Sequence, residues 1–173
     1  MSSDLMYHPL PQPHELSMRE REDAMGSYLM MFAAFAVSLP LPVINLIAAV
    51  VYYYVNRKKS RFVHFHCLQS LISQLPTTLL NWGVLYVLIR TFLIRHEELT
   101  QVLWAYLIFA LVANLIYTVF SLIAAVRARQ GRMMYFLFFG SYSYDRVYHI
   151  DNRLRYANEE APVEALYENK PPI

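Results

Sequence analysis

The chain has 173 residues, of which 57% are hydrophobic and 16% charged, and its net charge is +2. A soluble domain carries about 25% charged residues, and here the deficit is concentrated in long stretches without any charge. These values indicate an integral membrane protein, and the small net charge argues against a nucleic-acid partner. The single cysteine, Cys67, excludes an intramolecular disulfide and a cysteine-based zinc site.

The N-terminal segment, residues 1–16, is polar and contains three prolines, and it is predicted to form an extended arm. It lacks the basic and apolar regions of a secretory signal, which favours a bacterial inner membrane. Ser17 and Glu20 have the spacing of a capping box, in which each side chain bonds to the backbone amide of the other residue. Helix A is therefore predicted from about Met18 to about Ser38.

Residues 24–56 form an uncharged run that two prolines, Pro40 and Pro42, interrupt. Proline is disfavoured inside a helix because it has no amide hydrogen, but it suits the first helical position. Helix B is therefore predicted from about Pro42 to Asn56, and A and B form a Pro-interrupted hairpin. The run is too long for one ordinary crossing and short for two. It can form two crossings if both helices extend beyond it, or a re-entrant hairpin, and the sequence leaves both open.

Two further helices follow the basic residues 57–61. Helix C is predicted to begin near Phe62, and Pro76 predicts a kink or a break within it. Its more apolar half extends to Phe92. Helix D, residues 102–126, has no charged residue and is ended by arginines, which is typical of a transmembrane helix.

The distribution of basic residues predicts the topology. Cytoplasmic loops are enriched in lysine and arginine. Four crossings place on one side nearly all the basic residues beside the membrane, namely Arg19, Arg21, Arg57, Lys58, Lys59, Arg61, Arg127, Arg129 and Arg132. We therefore expect an all-α, multi-pass protein of the bacterial inner (cytoplasmic) membrane, with four transmembrane helices over residues 17–128 and both termini cytoplasmic.

The remaining residues, 129–173, are predicted to form an aromatic-rich cytoplasmic tail. Residues 133–139 are apolar but too few to span a bilayer. We expect aromatic residues at this density to be covered by lipid or protein rather than exposed to water. Two interpretations are open, an interfacial anchor or a docking segment for a partner subunit, and the docking residues would be Met133, Tyr135, Phe136, Phe138 and Phe139.

Polar side chains recur on one face of helix C at helical spacing. They are His66, Ser70, Ser73, Thr77 and Asn81, which we call the polar stripe, and Asn114 on helix D lies at a similar depth to Asn81. One interpretation is hydrogen bonding between helices, including a pair between Asn81 and Asn114. The other is the wall of a hydrated groove or pore.

No constellation of catalytic or metal-binding residues is found in the sequence. His64 and His66 are two positions apart, so they diverge on a helix and are not expected to share a metal ion. Helices A, B and D offer no acid or base at their centres, and no nucleophile lies beside a base. We therefore expect neither an enzyme nor a bound cofactor.

One short motif resembles a known family. A basic cluster precedes Phe62, Val63, Phe65, His66 and Gln69 at the entrance to a membrane helix. This pattern resembles a family of small four-helix membrane proteins that includes the ~20-kDa chloroplast inner-envelope protein-import component and uncharacterised bacterial relatives. The likeness covers about residues 20–128. It implies four membrane helices with both termini on one side, and association with a protein-translocation machine.

These observations lead to two functional expectations. The first is a non-catalytic subunit of a larger membrane complex, with the lipid bilayer and other subunits as partners, which takes part in protein translocation or membrane insertion. The alternative is a small channel or transporter lined by the polar stripe. The sequence identifies neither the partner nor a transported substrate.

Overall fold

The computed structural model describes residues 7–33, 42–95 and 98–150 and Asn169. Within these residues the fold is helical and has no β-strand. The α-helices are α1 (Met18–Leu29), α2 (Pro42–Asn56), α3 (Arg61–Leu88), α4 (Gln101–Arg129) and α5 (Leu137–Tyr148). Short 3-10 turns cover Pro13–Glu15 and Met30–Phe32, and a π-helical segment, Ile89–Arg95, extends α3.

Helix α1 begins where the sequence predicts. The Ser17 hydroxyl accepts the Glu20 amide at 3.2 Å, and the Glu20 carboxylate accepts the Ser17 amide at 2.9 Å, so the capping box is confirmed. The α-helix ends at Leu29 and a 3-10 turn follows. The predicted end of helix A near Ser38 and the turn at Pro40 lie outside the described residues.

Helix α2 has the predicted bounds and packs beside α1. The Tyr52 hydroxyl donates to the Asp23 carbonyl at 2.9 Å, and the Lys59 ammonium lies 2.6 Å from the Asp23 carboxylate. The end of α2 therefore lies beside α1, and the basic residues 57–61 lie beside the charged first half of α1.

Helix α3 begins one residue before the predicted start, because the Ser60 hydroxyl accepts the Val63 amide at 3.3 Å and caps it. The helix continues through Pro76, so the predicted break at this residue is wrong. The hydroxyls of Ser73 and Thr77 donate to backbone carbonyls one turn earlier, at 2.9 and 3.0 Å. Such bonds help a membrane helix to accommodate a proline.

Two helices among the described residues are long and apolar enough to cross a bilayer. They are Arg61–Ile94, with 34 residues, and Gln101–Arg129, with 29. Their outward faces carry large exposed apolar side chains, among them Leu79, Phe109, Leu111 and Leu115. Four crossings are not confirmed, because α2 has 15 residues, about 22 Å against a hydrocarbon core of about 30 Å, and the first half of α1 is charged.

One end of the bundle gathers the N-terminal arm, residues 57–61, the end of α4 and helix α5, and we call it the basic end. The His8 amide donates to the Tyr148 carbonyl at 2.8 Å, and the Tyr7 hydroxyl donates to the Asp145 carboxylate at 2.9 Å. Arg61 donates to the Val147 carbonyl at 3.2 Å. Residues 7 and 8 therefore lie beside the second half of α5, at the basic end.

Asn169 joins the N-terminal arm to the residues after α4. Its side-chain oxygen accepts the Met133 amide at 2.7 Å, and its amide group donates to the carbonyls of Pro11 and Gly131 at 2.7 and 3.0 Å. Asn169 is buried, at 4% exposure. Residues 1–6, 151–168 and 170–173 of the predicted arm and tail lie outside the described residues, and the division of the chain into domains stays a prediction.

Candidate functional site

Among the residues that the structure describes, the first half of α3 has the longest unbroken run of buried residues. Every residue from Phe62 to Ser70 is buried, and α1, α2, α4 and α5 all pack against this helix. Helix α4 contributes a face of small buried residues, Ser121, Ala124, Ala125 and Ala128, and small residues allow helices to approach closely. The motif residues Phe62, Val63, Phe65, His66 and Gln69 all lie in this buried half.

Three of the buried side chains, Tyr28, His66 and Gln69, form a hydrogen-bonded group that we call the Gln69 cluster. The Gln69 amide group donates to the Tyr28 hydroxyl oxygen at 2.7 Å, and that hydroxyl lies 2.9 Å from His66 Nδ1. Since the Tyr28 oxygen already accepts from Gln69, its proton is free to be donated to His66 Nδ1. The proton of the imidazole then resides on Nε2, which has no hydrogen-bond partner among the described residues.

Gln69 also bonds to the backbone of the segment that joins α4 to α5. Its amide group donates to the Met134 carbonyl at 2.9 Å, and its carbonyl oxygen accepts the Phe136 amide at 3.1 Å. These two backbone partners determine which way the amide of Gln69 points. One glutamine of α3 therefore connects α1 to residues 133–136.

The predicted docking residues divide between the bundle and the surface. Met133 and Phe136 are buried, and the Tyr135 ring packs against Phe65 with centroids 5.4 Å apart. Phe138 is 82% exposed and Phe139 is half-buried. Most of this segment thus contacts its own bundle, and helix α5, which begins within it at Leu137, was not predicted.

Gly140 permits the close approach of α5 to the preceding segment. A Cβ atom at this position would lie 2.7 Å from the Tyr135 Cα atom and 3.0 Å from the Gln69 side-chain oxygen. Real Cβ atoms essentially never approach another atom to 2.7 Å, so any larger residue at this position must displace the backbone of Tyr135. Gly140 is therefore a second contact on which the position of α5 depends.

The polar stripe faces other helices of the bundle. His66, Ser70 and Ser73 are buried, while Thr77 and Asn81 are partly exposed. The Ser70 hydroxyl donates to the Ser27 carbonyl of α1 at 2.7 Å. Asn81 and Asn114 donate to each other, at 3.0 and 2.8 Å. The stripe therefore connects α3 to α1 at Ser70 and to α4 at Asn81.

The two histidines of the motif face different neighbours. His64 Nε2 lies 3.1 Å from the Tyr53 hydroxyl of α2, whereas His66 bonds to Tyr28 of α1. In the part of the chain that the structure describes, no group of three or more histidine, cysteine, aspartate or glutamate side chains is arranged to hold a metal ion.

A double-mutant cycle should measure the interaction between Asn81 and Asn114. We expect Asn81→Leu and Asn114→Leu each to destabilise the protein, and the double variant to lose less than the sum by about 0.6–2 kcal/mol. The measurement is reversible unfolding in mixed micelles. As a control, the stability changes caused by Asn81→Leu and by Gln130→Leu, at an exposed and distant site, should be additive. Additive losses for the Asn81 and Asn114 pair would contradict the interaction.

Comparison with known proteins identifies a family. Residues 21–140 match the model of the MamF/MmsF magnetosome magnetite crystal formation protein family. The matched region contains the Gln69 cluster, the polar stripe and the segment that Gln69 holds. No curated protein and no solved structure matches the chain.

This match corrects the resemblance to the chloroplast import component and its relatives, which is wrong. The resemblance was based on motif residues that α1, α2 and α5 bury. Residues that serve to pack helices together say little about activity. Protein translocation loses its only support with that resemblance. Because the family model covers more than half of the sequence, the chain belongs to the magnetosome magnetite crystal formation protein family and is a membrane protein with two candidate spans.

Proposed function

We propose that this chain is a non-catalytic protein of the magnetosome membrane that takes part in magnetite crystal formation. The observation that carries the proposal is the family match over residues 21–140, which includes the whole of both candidate spans. The exposed apolar faces of α3 and α4 support residence in a bilayer. The hydrogen-bonded basic end supports a folded structure on one side of that bilayer.

The arrangement of polar groups favours a structural role over transport. Ser70 bonds to α1, and Asn81 and Asn114 bond to each other, so these members of the stripe are engaged in holding helices together. A pore wall would instead present such groups to water. The channel or transporter interpretation is therefore the weaker candidate, and we do not adopt it.

The proposed orientation follows the positive-inside rule. The basic end, with Arg57, Arg61, Arg127 and Arg129, would face the cytosol, and the connection between α3 and α4 would face the compartment that holds the mineral. Such an orientation makes the basic end available to other magnetosome membrane proteins, which we propose as partners together with the lipid bilayer.

Deletion and complementation in a magnetite-forming bacterium test this function. We expect loss of the protein to change the size or shape of the crystals in electron micrographs, and the intact chain to restore them. A fluorescent fusion should co-localise with the crystal chain. Unchanged crystals, together with a fusion spread evenly over the cell membrane, would overturn the proposal.

A further inference from the structure

The outer face of α5 changes in character along its length. Leu137 and Phe138, at its start, are 79% and 82% exposed. One turn later the exposed residues are Ser141 and Tyr142, and the last exposed pair is charged, Asp145 and Arg146. A helix that lies flat on a membrane has an exposed face of the same polarity along its whole length. A gradient from apolar to charged is what a helix shows when it runs from hydrocarbon through the interface into water.

The packing of α5 places its apolar start deeper in the bundle than its charged end. Near the end of α5, Arg61 donates to the Val147 carbonyl at the basic end. Just before its start, the Phe136 ring lies 6.4 Å from the ring of Phe120 on α4. Phe120 precedes the first arginine of α4, Arg127, by about two helical turns, or about 10 Å.

The chain reaches this depth by reversing direction after α4. Gly131 has a φ of 75°, a conformation that glycine adopts without strain. Residues 132–136 are not helical and run back beside the bundle. In hydrocarbon, backbone polar groups outside a helix must be bonded by protein. Gln69 supplies such bonds to the Met134 carbonyl and the Phe136 amide.

The surface of α4 around Phe120 is apolar. Val119, Phe120, Leu122 and Ile123 are between 43% and 46% exposed. Phe136, which packs against Phe120 in this apolar surface, directly precedes Leu137 and Phe138, so the exposed apolar start of α5 begins beside the end of a candidate span nearest the arginines. Arg127 and Arg129 are exposed beyond that surface, where cationic side chains can meet anionic lipid headgroups.

We propose that the start of α5 is inserted in the lipid leaflet at the basic end, with Leu137 and Phe138 in contact with acyl chains. Residues 132–148 then form a re-entrant element, which enters the leaflet as a non-helical segment and leaves it as a helix. The occupant of this apolar surface is lipid, not a second protein. The inference is independent of the role in crystal formation.

Spin labels can measure the depth of these side chains in the full chain. A nitroxide is attached to Phe138→Cys in vesicles of phosphatidylethanolamine and phosphatidylglycerol, and its collisions with oxygen and with a water-soluble nickel chelate are compared. Native Cys67 is buried, so it should remain unlabelled, and a Cys67→Ala background confirms this. Leu115→Cys on the exposed apolar face of α4 provides the hydrocarbon reference, and Arg129→Cys, beyond that apolar surface, provides the reference outside the hydrocarbon.

We expect the label at position 138 to collide with oxygen severalfold more than with nickel, as at position 115, and a label at Tyr142→Cys to be intermediate. Nickel access at position 138 equal to that at position 129 would overturn the proposal, because the side chain would then lie outside the hydrocarbon. An immobile label that neither reagent reaches would also overturn it, because protein would then cover this surface. Phe138 is 82% exposed, so the label should not disturb folding.

Discussion

Replacing Gln69 by leucine is expected to lower the free energy of unfolding by about 3–5 kcal/mol and to release residues 133–148 from α3. Leucine has nearly the same volume but removes the bonds to Tyr28, Met134 and Phe136. The buried carbonyl of Met134 and the amide of Phe136 would then lack partners, and each unsatisfied group costs about 1–3 kcal/mol. The effect should exceed that of any other polar substitution in the bundle.

Unfolding in mixed micelles measures the stability loss, and limited proteolysis measures the release of α5. The matched control is Gln130→Leu, the same substitution at an exposed position, which should change stability by no more than about 0.5 kcal/mol. If Gln69→Leu is as stable as Gln130→Leu, or remains equally resistant to protease between α4 and α5, Gln69 does not hold this segment.

Gly140→Val should destabilise the protein by about 3 kcal/mol. A side chain at Gly140 meets the backbone of Tyr135 at 2.7 Å and the Gln69 oxygen at 3.0 Å, so α5 must move away from α3. Inserting atoms into a packed contact typically costs about 1–3 kcal/mol, and more where backbone must shift. Thermal unfolding followed by near-ultraviolet circular dichroism measures the loss, because the many tyrosines around α5 report its packing.

The control for this substitution is Ser141→Val, at the next position of the same helix. Ser141 is exposed, so valine there is placed in the same helix without the steric conflict, and intrinsic helix propensity, which favours valine over glycine, cannot account for a loss at position 140. The two variants should therefore differ by most of the expected effect. Equal melting temperatures would show that α5 does not approach the preceding segment as closely as the structure indicates.

Local signals in the sequence predicted much of the fold. Ser17 and Glu20 marked the start of α1, and Pro42 marked the start of α2, because both depend on bonds or sterics within one helical turn. The long uncharged stretch before Arg127 predicted α4. Helical spacing also placed the polar stripe on one face of α3 and suggested the bond between Asn81 and Asn114, which depends only on the two helices being neighbours.

The sequence could not predict the elements that depend on distant backbone. Helix α5 begins at an apolar run, its N-cap, Phe136, offers no capping side chain, and it contains Gly140. Its position depends on Gln69, whose partners are a carbonyl and an amide 65 and 67 residues away. Backbone groups leave no signature in the pattern of side chains. Asn169, whose amide group bonds to the Pro11 carbonyl, was missed for the same reason.

The central claim is that residues 133–148 fold onto α3 through Gln69, as part of one unit with the two candidate spans. Hydrogen–deuterium exchange of the intact protein in lipid nanodiscs tests it most directly. Peptides covering residues 133–148 should exchange as slowly as peptides from the first half of α3, and Gln69→Leu should accelerate only the former by orders of magnitude. Complete exchange of residues 133–148 within seconds in the unmodified protein would contradict the claim.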